Sequence, residues 1–422
     1  MKGALAVVAL GVAAAAAGPA QARQWSSPAA VPGSFGTGYP YDVAVAADGT
    51  AAVAFVRDGV RVANRLPDGR WGRAVKVSTG SHAVASPDVA VDGAGEVLVA
   101  WTQSRVTGGA PVGRNSVRVA IRAANTRWGA PRTVGASEHF IDAELRLATN
   151  RRGDAVLAWR GVSARGHDLL QAAFRPARRR FGDPHPLGEA GFDLQVAIAG
   201  RGVAYAAWTH LSPPSFLKSS VRLAARGRRT WSRPATVAAG DAGGPQLALA
   251  PQRHVLIAWR EAEQGIGATR TGLAAVTERS ADGRLAPPRV LADNETPGPQ
   301  VAVGPLGERL VVWADAAALG DEPAPAALSW AVGSADGTFG FVQRRLGVGP
   351  GPLVMLGDGT AVVVWGVGEV QAVVRPPGGT FGQPQLLAPH GQFPVIAAGT
   401  RSAVAVWLSE GRLMAARRQA RG

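Results

Sequence analysis

The chain has 422 residues, 46% of them hydrophobic and 18% charged, which supplies enough apolar material for a large globular core. It contains 55 glycines, 30 prolines and no cysteine, which excludes a disulfide scaffold, thiolate zinc sites, a cysteine nucleophile and a lipoprotein anchor. The formal charge of +15 comes from 45 basic and 30 acidic residues, and only Lys2, Lys76 and Lys218 are lysines. Beside so much alanine, glycine and valine, that arginine excess reads as codon bias before it reads as a polyanion-binding signal.

The chain opens with a secretory pattern. Met1-Lys2 gives a positive start, Ala4 to Ala17 is apolar except for Gly11, and Gly18-Pro19 precedes the small-residue exit Ala20-Gln21-Ala22. This run is shorter than the roughly 18 residues a spanning helix needs. The expectation is a cleaved signal peptide over residues 1–22, with an uncleaved N-terminal anchor as the alternative. Residues 23–422 are then a single exported domain without a further membrane span.

Internal repetition organises the rest. One unit runs Pro87-Asp88 to Val91, turns at Asp92 to Gly95, and continues as Val97 to Trp101, Val117 to Arg122 and Trp128 to Val134. These four short runs, β-branched or alternating and separated by glycine-rich turns, read as antiparallel strands a, b, c and d. An aromatic ends strand b at Phe55, Trp101, Trp159, Trp208, Trp259, Trp313, Trp365 and Trp407. A bulky residue opens strand d at Trp71, Trp128, Phe181, Trp231, Leu285, Phe339 and Phe381. The missing eighth lies at the other end of the mature chain, where Trp25-Ser26-Ser27-Pro28 matches Trp231-Ser232-Arg233-Pro234.

The repeats fall at about 42–79, 88–134, 142–188, 193–238, 245–292, 299–347, 351–388 and 393–420 plus 24–31. A C-terminal a–b–c set completed by an N-terminal d strand closes a ring and hides sheet edges, whereas a solenoid leaves its ends apart. The predicted fold is all-β, an eight-bladed β-propeller, with seven blades as runner-up if a degenerate repeat (5 or 6) is an insertion. The blade aromatics are expected to pack between blades.

The turns between strands c and d read Asp68-Gly69-Arg70-Trp71, Asp282-Gly283-Arg284-Leu285 and Ser334-Ala335-Asp336-Gly337-Thr338-Phe339. They resemble the Asp-box of sialidase-like, BNR-repeat propellers, although these copies are shorter between aspartate and aromatic. The resemblance implies a propeller and glycoside recognition or cleavage. The sialidase-like catalytic set, an arginine cluster, a tyrosine–glutamate nucleophile and an aspartate acid, finds no match around Tyr39, Tyr41 or Tyr205, so no catalytic residue is assigned. Eight-bladed quinoprotein dehydrogenases are similar in blade number only, since their tryptophan motif and cysteines are missing.

Tight a–b and c–d turns should share one face, and the d–a connections and long b–c loops of blades 2 to 6 the other, where variable loops on a rigid scaffold carry function. Candidate ligand-binding residues there are Asp42, Asp88, Glu144, Arg105, Arg160, His167, His210, Arg260, Glu261 and Asp315. Strand a opens with Asp42, Asp88, Glu144, Gln195, Gln246 and Gln300, then Leu353 and Val395. Three carboxylates on adjacent blades at the channel mouth suit calcium, and hydrogen bonding to loop backbone is the competing expectation. Otherwise no cofactor or metal is expected.

The opposite face carries Arg151-Arg152, Arg175 with Arg178 to Arg180, and Arg226 with Arg228-Arg229, a basic rim that suits anionic wall polymers or simple solvation. The functional expectation is an exported, non-enzymatic recognition or scaffold propeller that binds an extracellular glycan or protein through its long-loop face. The alternative is a glycoside hydrolase or polysaccharide lyase on the same face, and a surface-layer role is third. A monomer is expected and nucleic acid is not, because export and the lack of a binding motif argue against it.

Overall fold

A computed structural model describes residues 25–420 apart from 81, 108–109, 125, 138–143, 163–167, 190, 213–217, 228, 263–271, 293–297, 316–326 and 350. The expected signal segment lies outside the described residues. Among those residues regular structure is β, apart from one 3-10 turn at Pro251–Arg253, and no helix is long and apolar enough to cross a membrane.

Six sheets have four antiparallel strands in chain order, and one has seven. Blade 1 is typical: Tyr41–Val45, Ala51–Val56, Val60–Arg65 and Val75–Lys76. The seven-stranded sheet is two blades sharing one long strand. Gln385–Ala398 pairs at its start with Val367–Arg375 (Gln371↔Leu386) and at its end with Ser402–Ser409 (Ile396↔Ala405), serving as strand d of blade 7 and strand a of blade 8. The arrangement fits eight blades, and repeats 5 and 6 each form a complete sheet.

Ring closure is as expected. Ala29–Ala30 adds to Arg412–Gln419 with Ala29 opposite Ala415, and Trp25 bridges to Arg418. The innermost strand of blade 1 touches both His82–Val91 of blade 2 and Gln385–Ala398 of blade 8, so the inner strands form a continuous ring.

The strand b aromatics hold the blades together. Phe55, Trp101, Trp159, Trp208, Trp259 and Trp407 are all at most 1% exposed. Burying a ring of this size contributes roughly 4–6 kcal/mol of transfer free energy. Glycines on neighbouring outer strands make room for them: a Cβ on Gly135 would lie 2.3 Å from the Trp159 ring.

Turn chemistry fixes the tight face. Asp48 and Asp358 accept the backbone N–H two residues on, from Thr50 and Thr360, each at 2.8 Å. In the c–d turns Asp68 accepts the Arg70 N–H (2.9 Å) and Asp336 the Thr338 N–H (2.8 Å), while the Ser334 hydroxyl donates to Asp336. That hydroxyl and the backbone N–H pull the Asp336 carboxyl down to about 2. The Asp-box-like motifs are therefore structural turns.

Many of the arginines are structural as well. At or next to its end strand c carries an arginine in seven blades, at Arg65, Arg122, Arg175, Arg226, Arg279, Arg375 and Arg418, each opposite the residue four before the strand b aromatic. In blade 6 the position is Gly333, and the residue facing it across the ladder is Arg309, so the guanidinium comes from strand b instead. These groups reach the preceding blade. Arg175 meets Glu96, Arg375 meets Glu308 and Arg309 meets Glu278, each at 2.7 Å, while Arg226 lies over the Phe174 ring at 3.6 Å. Arg175 and Arg226, expected on a solvated basic rim, are thus inter-blade links.

Candidate functional site

The inner strands present one residue per blade to the channel at the same ladder position. The ring comprises Asp42, Asp88, Arg146, Gln195, Gln246, Gln300 and Val395, with Pro352 in blade 7. This corrects the expected ring twice. Arg146, opposite Ala158, occupies the place given to Glu144, and Leu353 pairs one position further along, opposite Val363.

In other blades a bulge or left-handed turn recurs two residues before the ring position. Its residue has left-handed backbone at Ser86 (φ 51°), Asp193 (57°), Gly244 (65°), Gly298 (91°) and Phe393 (54°). Glu144 stands at the corresponding place, two residues before Arg146. Blade 3 pairs without a register shift from Leu145 on; Glu144 resembles Asp88 in charge, but it is Arg146 that stands before the turn at Asn150 as Asp88 stands before the turn at Asp92.

The acids join adjacent inner strands. Asp42 accepts the Val89 N–H at 2.9 Å, Asp88 the Leu147 N–H at 3.1 Å, and Glu144 the Leu194 N–H at 2.8 Å. Asp42 and Asp88 also hydrogen bond to each other. Burial, then the charge of Asp42, hold the Asp88 carboxyl well above the usual aspartate range, with Arg146 opposing. Burial likewise raises Asp42 and Glu144.

The donor set does not favour calcium. The carboxylates are engaged with backbone N–H groups and with each other, Arg146 supplies positive charge, and no group of three metal-ligating side chains occurs among the described residues.

The remaining candidates are dispersed. Arg160 is near enough to act on the Glu144 charge, and its backbone N–H donates to the Glu144 carbonyl (2.9 Å). Arg105 is exposed on a ribbon made by Val97–Thr107 and Ala110–Arg122, where a long loop was expected. His210 lies 3.8 Å from Glu189 on blade 4, its pKa lowered by burial and by Arg222. Arg260 and Glu261 extend blade 5 opposite Gly243 and Ala242, away from the acid pair. His167 lies outside the described residues, as does the side chain of Asp315.

An aromatic pair at the mouth escaped the sequence reading. Tyr39, just before strand a of blade 1, and Phe393, at the blade 8 bulge, have ring centroids 5.4 Å apart and are 62% and 51% exposed. Buried Tyr41 fixes them: its hydroxyl donates to the Phe393 carbonyl at 2.6 Å, and its ring meets Tyr39 edge-on at 5.9 Å. Blades 1, 7 and 8 have short b–c loops, so the pair stands on the open side of the face. Phenylalanine in the left-handed region, which the equivalent Ser86 and Asp193 also occupy, costs about 1–2 kcal/mol. Tyr205, by contrast, is core, with its hydroxyl donating to the Arg253 carbonyl (3.0 Å).

No family profile and no curated protein matches the sequence. Solved structures do. The chain is similar to the BP39L lectin from Burkholderia pseudomallei at 16% identity and TM-score 0.53, over 84% of this chain and 100% of that one. It is similar to the Dos1 propeller at 9% identity and TM-score 0.51, over 92% and 94%. A Hadza microbial sialidase, Hz136, matches at 13% identity and TM-score 0.40, over 72% and 65%. At these identities the likeness is one of fold alone, and with the repeat it describes an all-β propeller.

Proposed function

We propose that this protein is an exported recognition propeller that binds a glycan at the channel mouth, stacking a sugar ring on Tyr39 and Phe393. The observation that carries the reading is the exposed aromatic pair, held by Tyr41. An exposed aromatic face offers a sugar ring a flat apolar surface, and Arg146 and Gln195 of the polar ring offer hydroxyl partners. The similarity in fold to a lectin supports the choice of a glycan over a protein ligand. The secretory pattern of residues 1–22 supports export.

Catalysis is the second reading, favoured by the raised Asp88 carboxyl, which suits a general acid. Against it, Asp42 and Asp88 hydrogen bond directly, closer than the about 5–10 Å that glycosidase carboxyl pairs keep. A glycan array on the purified protein, with Tyr39→Ala and Phe393→Gly, tests the proposal. The expected result is specific binding that each variant weakens about tenfold or more while Phe393→Gly keeps its melting temperature. A blank array, or hits indifferent to both variants, would refute it. Turnover of a bound glycan, lost in Asp88→Asn, would move the reading to the enzyme.

A further inference from the structure

On the tight-turn face, outside the channel, a groove of about 860 Å³ opens between blades 2 and 3. Its apolar walls include Val119, Ile121, Val134 and Phe181, and its charged lining is Arg132, Arg178, Arg179 and Arg180, with no acid among the lining residues. The corresponding groove between blades 5 and 6, about 800 Å³, differs: Arg284, Arg289 and Arg309 there face Glu278 and Asp336. The blade 2–3 groove is therefore positive without internal compensation, and all four arginines are exposed.

The turn that carries three of them is specially built. Arg175-Pro176-Ala177-Arg178-Arg179-Arg180-Phe181 has the same length and hydrogen bonding as Arg375-Pro376-Pro377-Gly378-Gly379-Thr380-Phe381 in blade 7. Arg179 N–H donates to the Pro176 carbonyl and Gly379 N–H to the Pro376 carbonyl, both at 3.0 Å. The third turn residue is left-handed in each, Gly378 at φ 64° and Arg178 at φ 58°. Blade 7 uses glycine where the geometry asks for it, and blade 3 keeps an arginine against that preference.

The turn is also braced. Arg175 Nε donates to the Arg179 carbonyl (2.7 Å), and its Nη1 pairs with Glu96 in the a–b turn of blade 2 (2.7 Å), tying this turn to the neighbouring blade.

We infer that this groove is a second binding site, for an acidic polysaccharide whose carboxylates meet the arginines while its sugar rings lie along the apolar walls. Guanidinium groups match carboxylates in planar, two-point geometry. Walls of aliphatic and aromatic side chains favour a polymer with ring faces over one with a flexible phosphodiester backbone. The site is on the opposite face from Tyr39 and Phe393, so it stands or falls independently of the glycan reading there.

The test is calorimetric titration of the purified protein with polygalacturonate, dextran and poly(glycerol phosphate), at low and high salt. Expected are binding of polygalacturonate that weakens with salt, none of dextran, and weaker binding of poly(glycerol phosphate). The double variant Arg132→Glu/Arg180→Glu should lose tenfold or more. Arg178→Gly should bind several-fold more weakly with an unchanged or higher melting temperature, a combination that a purely structural arginine would not give. Arg284→Glu, in the other groove, should stay within twofold.

Equal binding of dextran, tighter binding of poly(glycerol phosphate), or indifference to the blade 3 variants would each overturn the proposal. So would loss of polygalacturonate binding in Tyr39→Ala, which would assign that polymer to the channel mouth.

Discussion

The inner and outer parts of this propeller join neighbouring blades by different chemistry. At the channel, Asp42, Asp88 and Glu144 reach one blade onward and accept backbone N–H groups. Further out, arginines reach one blade back to carboxylates or aromatic rings. Geometry explains the division. Inner strands lie close, so a short acceptor bridges them, whereas blades splay outward and only a long side chain spans the gap. The electrostatic outcome also differs: the outer acids meet cations, while the inner pair has mainly each other and Arg146, and its carboxyls are raised.

Breaking an outer link should cost most. Arg375→Ala leaves Glu308 without its partner in a site where the arginine is 2% and the glutamate 29% exposed. Loss of about 3 kcal/mol is expected, the low end for a buried pair because Glu308 retains some solvent. Chemical denaturation should register it as a lower midpoint, and an unchanged midpoint would remove the outer arginines from the stability argument. Asp42→Ala should follow at about 1–3 kcal/mol, since it orphans the Val89 N–H. Asp42→Asn, which keeps an acceptor, should recover most of that loss.

The next test separates the two settings by pH. The folded pKa of Asp88 is raised, so its contribution to stability is full below the unfolded value of about 3.9 and declines as pH rises through the folded value. Melting temperature should therefore fall less between pH 4 and pH 8 in Asp88→Asn than in wild type. Parallel profiles would show that Asp88 is not strained by its charge.

The smallest effect is at a c–d turn and has the opposite sign. Asp336 is depressed to about 2, so what it contributes is present above about 3.9 and disappears as pH falls toward 2. Ser334→Ala should be slightly less stable than wild type at pH 7 and converge with it at pH 2. Divergence at low pH instead would place the serine's role outside the turn.

Much of the fold was legible because its signals are local and repeated. Trp101, Trp159 and Trp407 recur with their strands, the Asp68 and Asp336 turns announce tight reversals, and Trp25 declares the closing strand by matching Trp231. The candidate site was legible only in part. Asp42 and Asp88 fall where expected, but the place expected for Glu144 belongs to Arg146, because an acid opening an apolar run resembles Asp88 in type while Arg146 is the residue that keeps its distance from the following turn. The arginine excess read as codon bias because no single arginine is distinctive. Its meaning lies in Arg175 and Arg375 ending equivalent strands beside Glu96 and Glu308.

The sequence by itself determined the strand pattern, the ring closure and the turn chemistry, because each follows from side-chain period and from residues a few positions apart. Tertiary structure decided the rest. Phe393 is an ordinary core-like residue in sequence, and only the left-handed bulge and the Tyr41 hydroxyl, 352 residues away in the chain, turn it out beside Tyr39. Asp42 and Asp88 are unremarkable carboxylates until two inner strands bring them within hydrogen-bonding distance and remove water, the step that sets their charge.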